Sequence, residues 1–195
     1  MAQANSVLLV SEDFHESDEL KQGLYNIGVS EIHQFSTSEN FLTALNSLSV
    51  DCIVLDINKS NNDLFQRISV VDTHCPTPVI CFSKDSDSEV IANSVKSGVS
   101  AYIVDGKSSE RIKPIMDVAF QRFKACQAMR KELMLVKDKL SERAVIEKAK
   151  GLLVQEKGMT EDEAYSMMRK MAMDKGKRIS IIAHEVYTVY MGLPE

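Results

Sequence analysis

Short apolar runs alternate with amphipathic stretches through the first half of the chain. Five runs of four or five residues, rich in β-branched side chains, are typical of strands buried on both faces of a parallel sheet. They are Ser6–Val10, Glu31–Phe35, Cys52–Leu55, Pro78–Phe82 and Ala101–Val104. Between them apolar residues recur at helical spacing, and Gly28 and Gly98 stand where helices end. The alternation predicts an α/β domain over residues 1–118, with a flavodoxin-like, doubly wound, five-stranded parallel sheet.

A long stretch with few helix-breaking residues follows. From Ser109 to about Lys157 the chain contains one proline, at 114, and one glycine, at 151, so a single long helix is predicted. Apolar residues recur there at steps of three and four that average 3.5, the period of a left-handed coiled coil. This seam starts with Ala119 and continues through Phe123, Cys126, Met129, Leu133, Val136 and Leu140. It predicts a coiled-coil linker helix over 119–142 and a parallel homodimer, with packing on its own chain as the alternative.

The last quarter of the chain is predicted to be all-α. Gly158 and Gly176 mark helix ends, and Thr160 with Glu163 forms a capping-box pattern between them. Ser180 is the predicted N-cap of a final helix. Residues 143–195 should therefore form a small three-helix unit, which makes the chain α/β plus all-α.

Composition excludes several classes of protein. The 195 residues contain no run of 18 apolar positions, so no spanning helix and no membrane association are expected. The first residues lack the features of a signal peptide, and the four cysteines show no CxxC spacing. These features predict a cytoplasmic protein with reduced thiols.

The net charge of −5 conceals two halves of opposite sign. Residues 1–106 hold 5 Lys and Arg against 15 Asp and Glu, a net charge of −10, whereas 107–195 carry +5. Such a split suggests two tasks, one of them nucleic-acid binding; two solvated surfaces are the alternative. The basic residues that could neutralise phosphates are Arg143, Lys148, Lys150, Lys157, Arg169, Lys170, Lys175, Lys177 and Arg178.

Polar side chains follow four of the predicted strands. They are Ser11, Glu12, Asp13, Asp56, Ser83, Lys84 and Asp105. Because the carboxyl ends of parallel strands meet at one edge, these residues should lie close together. Glu12, Asp13 and Asp56 are candidate Mg²⁺ ligands, and Asp56 is a candidate phospho-accepting nucleophile.

Over residues 5–125 this arrangement resembles the receiver domain of response regulators. The resemblance implies that Asp56 is the phosphoacceptor and that Ser83 is the switch hydroxyl. Ser11 stands where receivers have the first acid of a pair, and Asp105 stands where they have a lysine. Because a carboxylate at 105 would repel a phosphoryl group, we favour a pseudo-receiver that binds a protein partner. The alternative is a response regulator that a histidine kinase activates at Asp56.

Residues 138–192 resemble the ANTAR domain of response-regulator antiterminators. The matching positions are Arg143, Ile146, Ala149–Gly151, Leu153, Glu163–Tyr165, Met168, Arg169, Ala172, Met173, Arg178, Ile179, Ile182 and Ala183. With the receiver-like half, nearly the whole chain resembles antiterminators of the NasT and AmiR kind. The resemblance implies an RNA-binding dimer that prevents termination by holding paired stem-loops of an mRNA leader. It also implies nitrate and nitrite assimilation genes as targets, and control by a nitrate/nitrite-sensing partner protein.

The resemblance places Ala149, Lys150, Gly151, Arg169 and Arg178 near the RNA. The basic cluster adds Arg143, Lys170 and Lys177 to this candidate RNA-binding set. Gly151 either lets RNA approach closely or lets helices pack tightly.

Other classes of function fit the sequence less well. A protein-binding scaffold without a nucleic-acid role is one alternative, and DNA binding is disfavoured because no clear helix-turn-helix is visible. The chain has no nucleophile elbow, no P-loop and no metal-spaced His or Cys set. We therefore predict no enzymatic activity, no catalytic residue and no required cofactor, with Mg²⁺ binding confined to the receiver-like site.

Overall fold

The computed structural model describes residues 4–45, 47–59 and 62–191, so the outermost parts of the two predicted terminal domains lie outside the described residues. Five parallel strands form one sheet in the order β2-β1-β3-β4-β5. They are β1 (Ser6–Ser11), β2 (Glu31–Ser36), β3 (Cys52–Ile57), β4 (Val79–Ser83) and β5 (Ala101–Val104). This order is the flavodoxin-like arrangement, which confirms the predicted fold of the first half.

Seven helices complete the described part of the chain. They are α1 (Asp18–Asn26), α2 (Phe41–Leu45), α3 (Asn62–His74), α4 (Ser88–Lys96), α5 (Ser109–Lys157), α6 (Glu161–Lys175) and α7 (Ile179–Met191). The long helix α5 has the predicted bounds. The chain divides into two compact units, Met1–Gln127 and Ala128–Glu195, and α5 contributes residues to both.

The core of the first unit lies on both faces of the sheet. Alternate residues of each strand point to opposite faces, so Leu9 and Val54 belong to one apolar cluster and Leu8 and Ile53 to the other. The first turns of α5 close one of these clusters with Ile112, Met116, Ala119 and Phe120. Ala119 is therefore part of this core and not of an exposed seam, and the domain boundary predicted at 118/119 falls inside the buried part of α5.

The second unit has its own apolar core. Its buried residues come from all three of its helices and are Ala149, Leu153, Ala164, Met168, Ala172, Ile182, Ala183 and Val186. The predicted capping box is present: Glu163 N–H donates to Thr160 Oγ1 at 3.3 Å, and Thr160 N–H donates to Glu163 Oε2 at 2.8 Å. The hydrogen bonds that the Glu163 carboxylate accepts from the N–H and the hydroxyl group of Thr160 lower the pKa of Glu163. Gly176, with φ of +60°, ends α6 in the left-handed conformation.

The predicted N-cap of the last helix is wrong. α7 begins at Ile179, so Ser180 lies inside its first turn. The carbonyl oxygen of Arg178 accepts from the N–H groups of Ile181 and Ile182, at 3.0 and 3.4 Å. The helix therefore starts two residues earlier than a Ser180 cap requires, directly after the turn that ends α6.

Two cysteines are buried and two are exposed. Burial raises the pKa of the Cys52 and Cys81 thiols, so both behave as apolar core residues. Cys75 and Cys126 lie at the surface, and all four thiols are free. No helix within the described ranges is both long enough and apolar enough to cross a membrane.

Candidate functional site

Asp56 lies near the carboxyl end of the central strand β3, in register with Ser11 of β1 and Phe82 of β4. Its side chain is 4% exposed, and its Oδ1 lies 2.6 Å from the Nζ of Lys107. Its other oxygen, Oδ2, is buried without a hydrogen-bond partner in the described structure. The Asp56 carboxylate, which the sequence singles out, therefore forms an ion pair with Lys107, a residue that was not among the predicted site residues.

The loop after β5 delivers this lysine. Asp105 adopts φ of +49°, and its N–H donates to the carbonyl oxygen of Ser83 at 3.1 Å. Gly106 is buried, and a Cβ at this position would collide with the side chain of Ile103. Position 105 does carry a carboxylate, but Lys107 supplies a cation two residues later. An Asp-Gly turn directly after a strand is the signal that could have indicated it.

The remaining polar residues of this edge have separate partners. Glu12 Oε2 accepts from the N–H of Asn58 at 3.1 Å, and Asp13 Oδ1 accepts from the N–H of His15 at 2.8 Å. Ser83 is buried, and its Oγ accepts from the N–H of Asp85. Within the described residues, no three His, Cys, Asp or Glu side chains are grouped so as to hold a metal ion. The structure thus does not bring Glu12, Asp13 and Asp56 together as the sequence suggested.

The three residues of the Ala-Lys-Gly triplet, Ala149, Lys150 and Gly151, lie in three different environments. Ala149 is fully buried in the core of the second unit, so its side chain is not available for contact with RNA. The Lys150 side chain is 14% exposed, and its Nζ lies 2.8 Å from Glu147 and 3.3 Å from Glu161. The hydrogen bond to Glu147 raises the pKa of Lys150. Gly151 is exposed, and a Cβ there would meet no atom within 4 Å, so tight helix packing does not explain this glycine.

The other basic candidates differ in their partners. Lys177 lies 2.6 Å from Glu185, whose pKa is lowered by the hydrogen bond from that lysine, and Arg178 lies 3.4 Å from Glu142. Arg143, Arg169 and Lys170 are exposed and form no ion pair with any residue that the structure describes. Among the six basic residues of the candidate RNA-binding set, these three are the most available to an anionic partner.

A further basic residue interacts with an aromatic ring. The Lys148 ammonium lies over the ring of Tyr187, 5.8 Å from its centroid. This contact joins α5 to α7, and local sequence spacing could not have indicated it because 38 residues separate the two positions. Tyr187 is therefore less available for stacking on bases than the exposed Tyr165.

The seam of α5 is exposed along most of its length. Phe123 is half-buried, Cys126 is exposed, and Met129, Leu133, Val136 and Leu140 are 49 to 69% exposed. The described residues of the chain do not cover this stripe. A continuous apolar stripe of this kind is typical of a helix that packs against a second helix outside its own chain.

The fold of the first unit is that of receiver domains. It resembles the chemotaxis response regulator CheY4 of Vibrio cholerae with a TM-score of 0.51 and 19% identity, over 60% of this chain and 99% of that chain. It also resembles a two-component response regulator from Clostridium difficile, with a TM-score of 0.50 and 18% identity over 60% and 97% of the two chains. At these identities the similarity concerns the fold alone.

Residues 136–186 match the model of the ANTAR domain. This match agrees with the ANTAR resemblance inferred from the sequence for residues 138–192, and the receiver fold of the first unit fits an ANTAR response regulator. The chain is 26% identical over 145 residues to the transcriptional regulatory protein PdtaR of Mycobacterium tuberculosis, covering 74% of this chain and 70% of that protein. It is 40% identical over 77 residues to the nitrate regulatory protein of Klebsiella oxytoca, covering 40% of this chain and 19% of that protein. The comparisons thus indicate a regulatory protein.

Proposed function

We propose that this protein is an RNA-binding transcription antiterminator whose ANTAR domain holds paired stem-loops of an mRNA leader. The observation that carries the proposal is the coincidence of the ANTAR match with exposed basic side chains that have no ion-pair partner in the described structure. These residues are Arg143, Arg169 and Lys170. Free cations on a small folded unit are suited to phosphate contacts, and exposed Tyr165 adds a ring for stacking on unpaired bases.

The protein acts as a homodimer in this proposal. The uncovered seam of α5 supports it, because burying this stripe against a second copy removes several large apolar side chains from water. A parallel coiled coil places two identical ANTAR domains side by side. Two such domains match two adjacent stem-loops on one RNA, and binding both at once raises the affinity through effective concentration.

Nitrate and nitrite assimilation genes are the proposed targets, and a nitrate/nitrite-sensing protein is the proposed partner. The similarity to a protein named as a nitrate regulatory protein supports this choice. The acidic first half of the chain offers that partner a charged surface of one dominant sign. Pull-down of leader RNA from the host, followed by sequencing, would identify the regulated operon directly.

Control by phosphorylation is the second candidate. The resemblance to receiver domains implies that Asp56 is the phosphoacceptor, and the ion pair with Lys107 supports this candidate because an ammonium group beside Asp56 could also pair with a phosphoryl group. Labelling by a small phosphodonor that is lost in Asp56→Asn would support this candidate. Retention of RNA control in Asp56→Asn would favour the partner protein as the input.

Removal of two free cations should weaken RNA binding. In Arg169→Ala/Lys170→Ala, the slope of log affinity against log salt should decrease by about 2 if both side chains contact phosphates, and affinity at 0.15 M salt should fall roughly 10- to 30-fold. Fluorescence anisotropy with a labelled two-stem-loop leader measures both quantities. Arg122→Ala/Lys124→Ala is the matched control, because it removes the same charge from exposed positions of α5 outside the ANTAR match. Equal affinities for the two variants would remove the case for this surface.

Gly151→Ala should separate stability from RNA binding. Because Gly151 lies within α5 and open space surrounds its position, alanine should raise the free energy of unfolding by about 0.5–1 kcal/mol. If RNA approaches the backbone here, the added methyl group should lower RNA affinity in the same variant. Chemical denaturation and anisotropy test the two effects independently. A more stable variant with unchanged affinity would place Gly151 outside the RNA interface.

A further inference from the structure

We propose that Lys107 is a built-in cation that takes the place of a divalent metal at the carboxyl edge of the receiver sheet. In this arrangement the ammonium group of Lys107 balances the negative charge of the buried Asp56 carboxylate. The first unit then needs neither Mg²⁺ nor a phosphoryl group at this position to be stable. The proposal concerns the first unit and does not depend on RNA binding.

The burial of Asp56 requires a compensating charge. A carboxylate that is 4% exposed has lost most of its hydration, which is costly unless a cation or several hydrogen bonds replace it. Oδ2 has no hydrogen-bond partner among the described residues, so the contact of Oδ1 with Lys107 is the compensation that the structure provides. Lys107 is itself only 20% exposed, which strengthens the attraction between the two charges.

The other groups at this edge do not form a metal site. Ser11, the β1 residue in register with Asp56, is a neutral hydroxyl whose Oγ is buried without a partner in the described structure. The carboxylates of Glu12 and Asp13 accept hydrogen bonds from backbone N–H groups. A Mg²⁺ ion on Asp56 would also lie beside the Lys107 ammonium, and the two positive charges would repel each other. Lys107 and a metal are therefore competitors for the same carboxylate.

The loop after β5 is built to hold Lys107 in place. Asp105 is the one residue other than glycine with a positive φ among those described, and Gly106 fits where a side chain would collide with Ile103. The loop is also fastened to β4 by the hydrogen bond from Asp105 to Ser83. α5 starts at Ser109, two residues after Lys107. The ion pair thus fixes the start of α5 to the central strand of the sheet.

A cycle of variants with and without MgCl₂ tests the proposal. Scanning calorimetry of the full chain gives the midpoint temperature of thermal unfolding. For the wild type, we expect MgCl₂ to leave this midpoint unchanged. Lys107→Met should lower the midpoint of the first unit by roughly 10 °C, because it leaves a buried carboxylate without a cation. MgCl₂ should restore a large part of that loss, since Asp56 is then free to bind it. The neutral pair in Asp56→Asn/Lys107→Met should recover stability and lose the Mg²⁺ response.

Two control variants test whether the cation at position 107, and not another property of the lysine side chain, compensates the charge of Asp56. Lys107→Arg should behave as the wild type, because a guanidinium also pairs with a carboxylate. Lys84→Met removes the same charge from an exposed lysine after β4 and should leave the midpoint unresponsive to MgCl₂. An equal rise in the wild-type and Lys107→Met midpoints with MgCl₂ would overturn the proposal. The proposal would also be overturned if Asp56→Asn/Lys107→Met were as unstable as Lys107→Met. This second outcome can be tested even if Lys107→Met alone does not fold.

Discussion

Leu133→Lys should convert the full-length protein from a dimer to a monomer and lower its affinity for a two-stem-loop leader by about 100-fold or more. Leu133 lies in the middle of the exposed seam and is 55% exposed in the single chain, so the substitution should not disturb the fold. In a parallel dimer the two introduced lysines would face each other across a dry interface, which is strongly unfavourable. Loss of the dimer removes the benefit of binding two loops at once. Light scattering gives the mass, and anisotropy gives the affinity.

Leu135→Lys is the matched control for this substitution. Leu135 is 61% exposed on the same helix but lies off the seam, so the same change in charge and volume should leave a dimer with normal affinity. A leader with a single stem-loop provides a second comparison, because monomer and dimer domains should bind it with similar affinity. A dimeric Leu133→Lys protein would show that the seam is not the interface.

The strands and the long helix could be predicted from the sequence because their signals are local. β-branched runs such as Cys52–Leu55 identify buried strands without knowledge of their neighbours, and the glycines at 158 and 176 end helices through their own backbone freedom. Once the sheet order was inferred, Asp56 and Ser83 followed as residues of its carboxyl edge, and the structure places both in that region.

The contacts that local sequence patterns do not predict depend on three-dimensional placement. Lys107 reaches Asp56 through an unusual turn, and Lys150 pairs with Glu161 across 11 positions, so neither contact follows from spacing. Ala149 also depends on the fold. A match to a family motif identifies a position but not the face of the helix on which it lies, and the core of the second unit required a small apolar residue there. Even so, the glycine two positions later lies on the open side of the helix.

Met168→Ala should lower the free energy of unfolding of the second unit by about 2–5 kcal/mol. Met168 is fully buried in the cluster formed by α5, α6 and α7, and truncation leaves a cavity that this small core cannot fill. A unit of this size has a marginal stability of about 5 kcal/mol, so the change should remove most of it. The first unit has a separate core and should keep its own unfolding transition. Denaturant titration followed by circular dichroism should therefore show the unfolding transition of the second unit at a lower denaturant concentration, while the transition of the first unit stays in place.

Met173→Ala tests whether burial causes this loss. Met173 lies on the same helix and is 73% exposed, so the identical truncation should change stability by no more than about 0.5 kcal/mol. RNA affinity should fall in Met168→Ala in proportion to the unfolded fraction and should recover at lower temperature as the unit refolds. Similar losses of stability in both variants would show that α6 does not pack through the Met168 face. Full RNA binding by a Met168→Ala protein whose second unit is unfolded would mean that the RNA surface lies elsewhere in the chain, because the exposed cations of α6 are held in place only by this core.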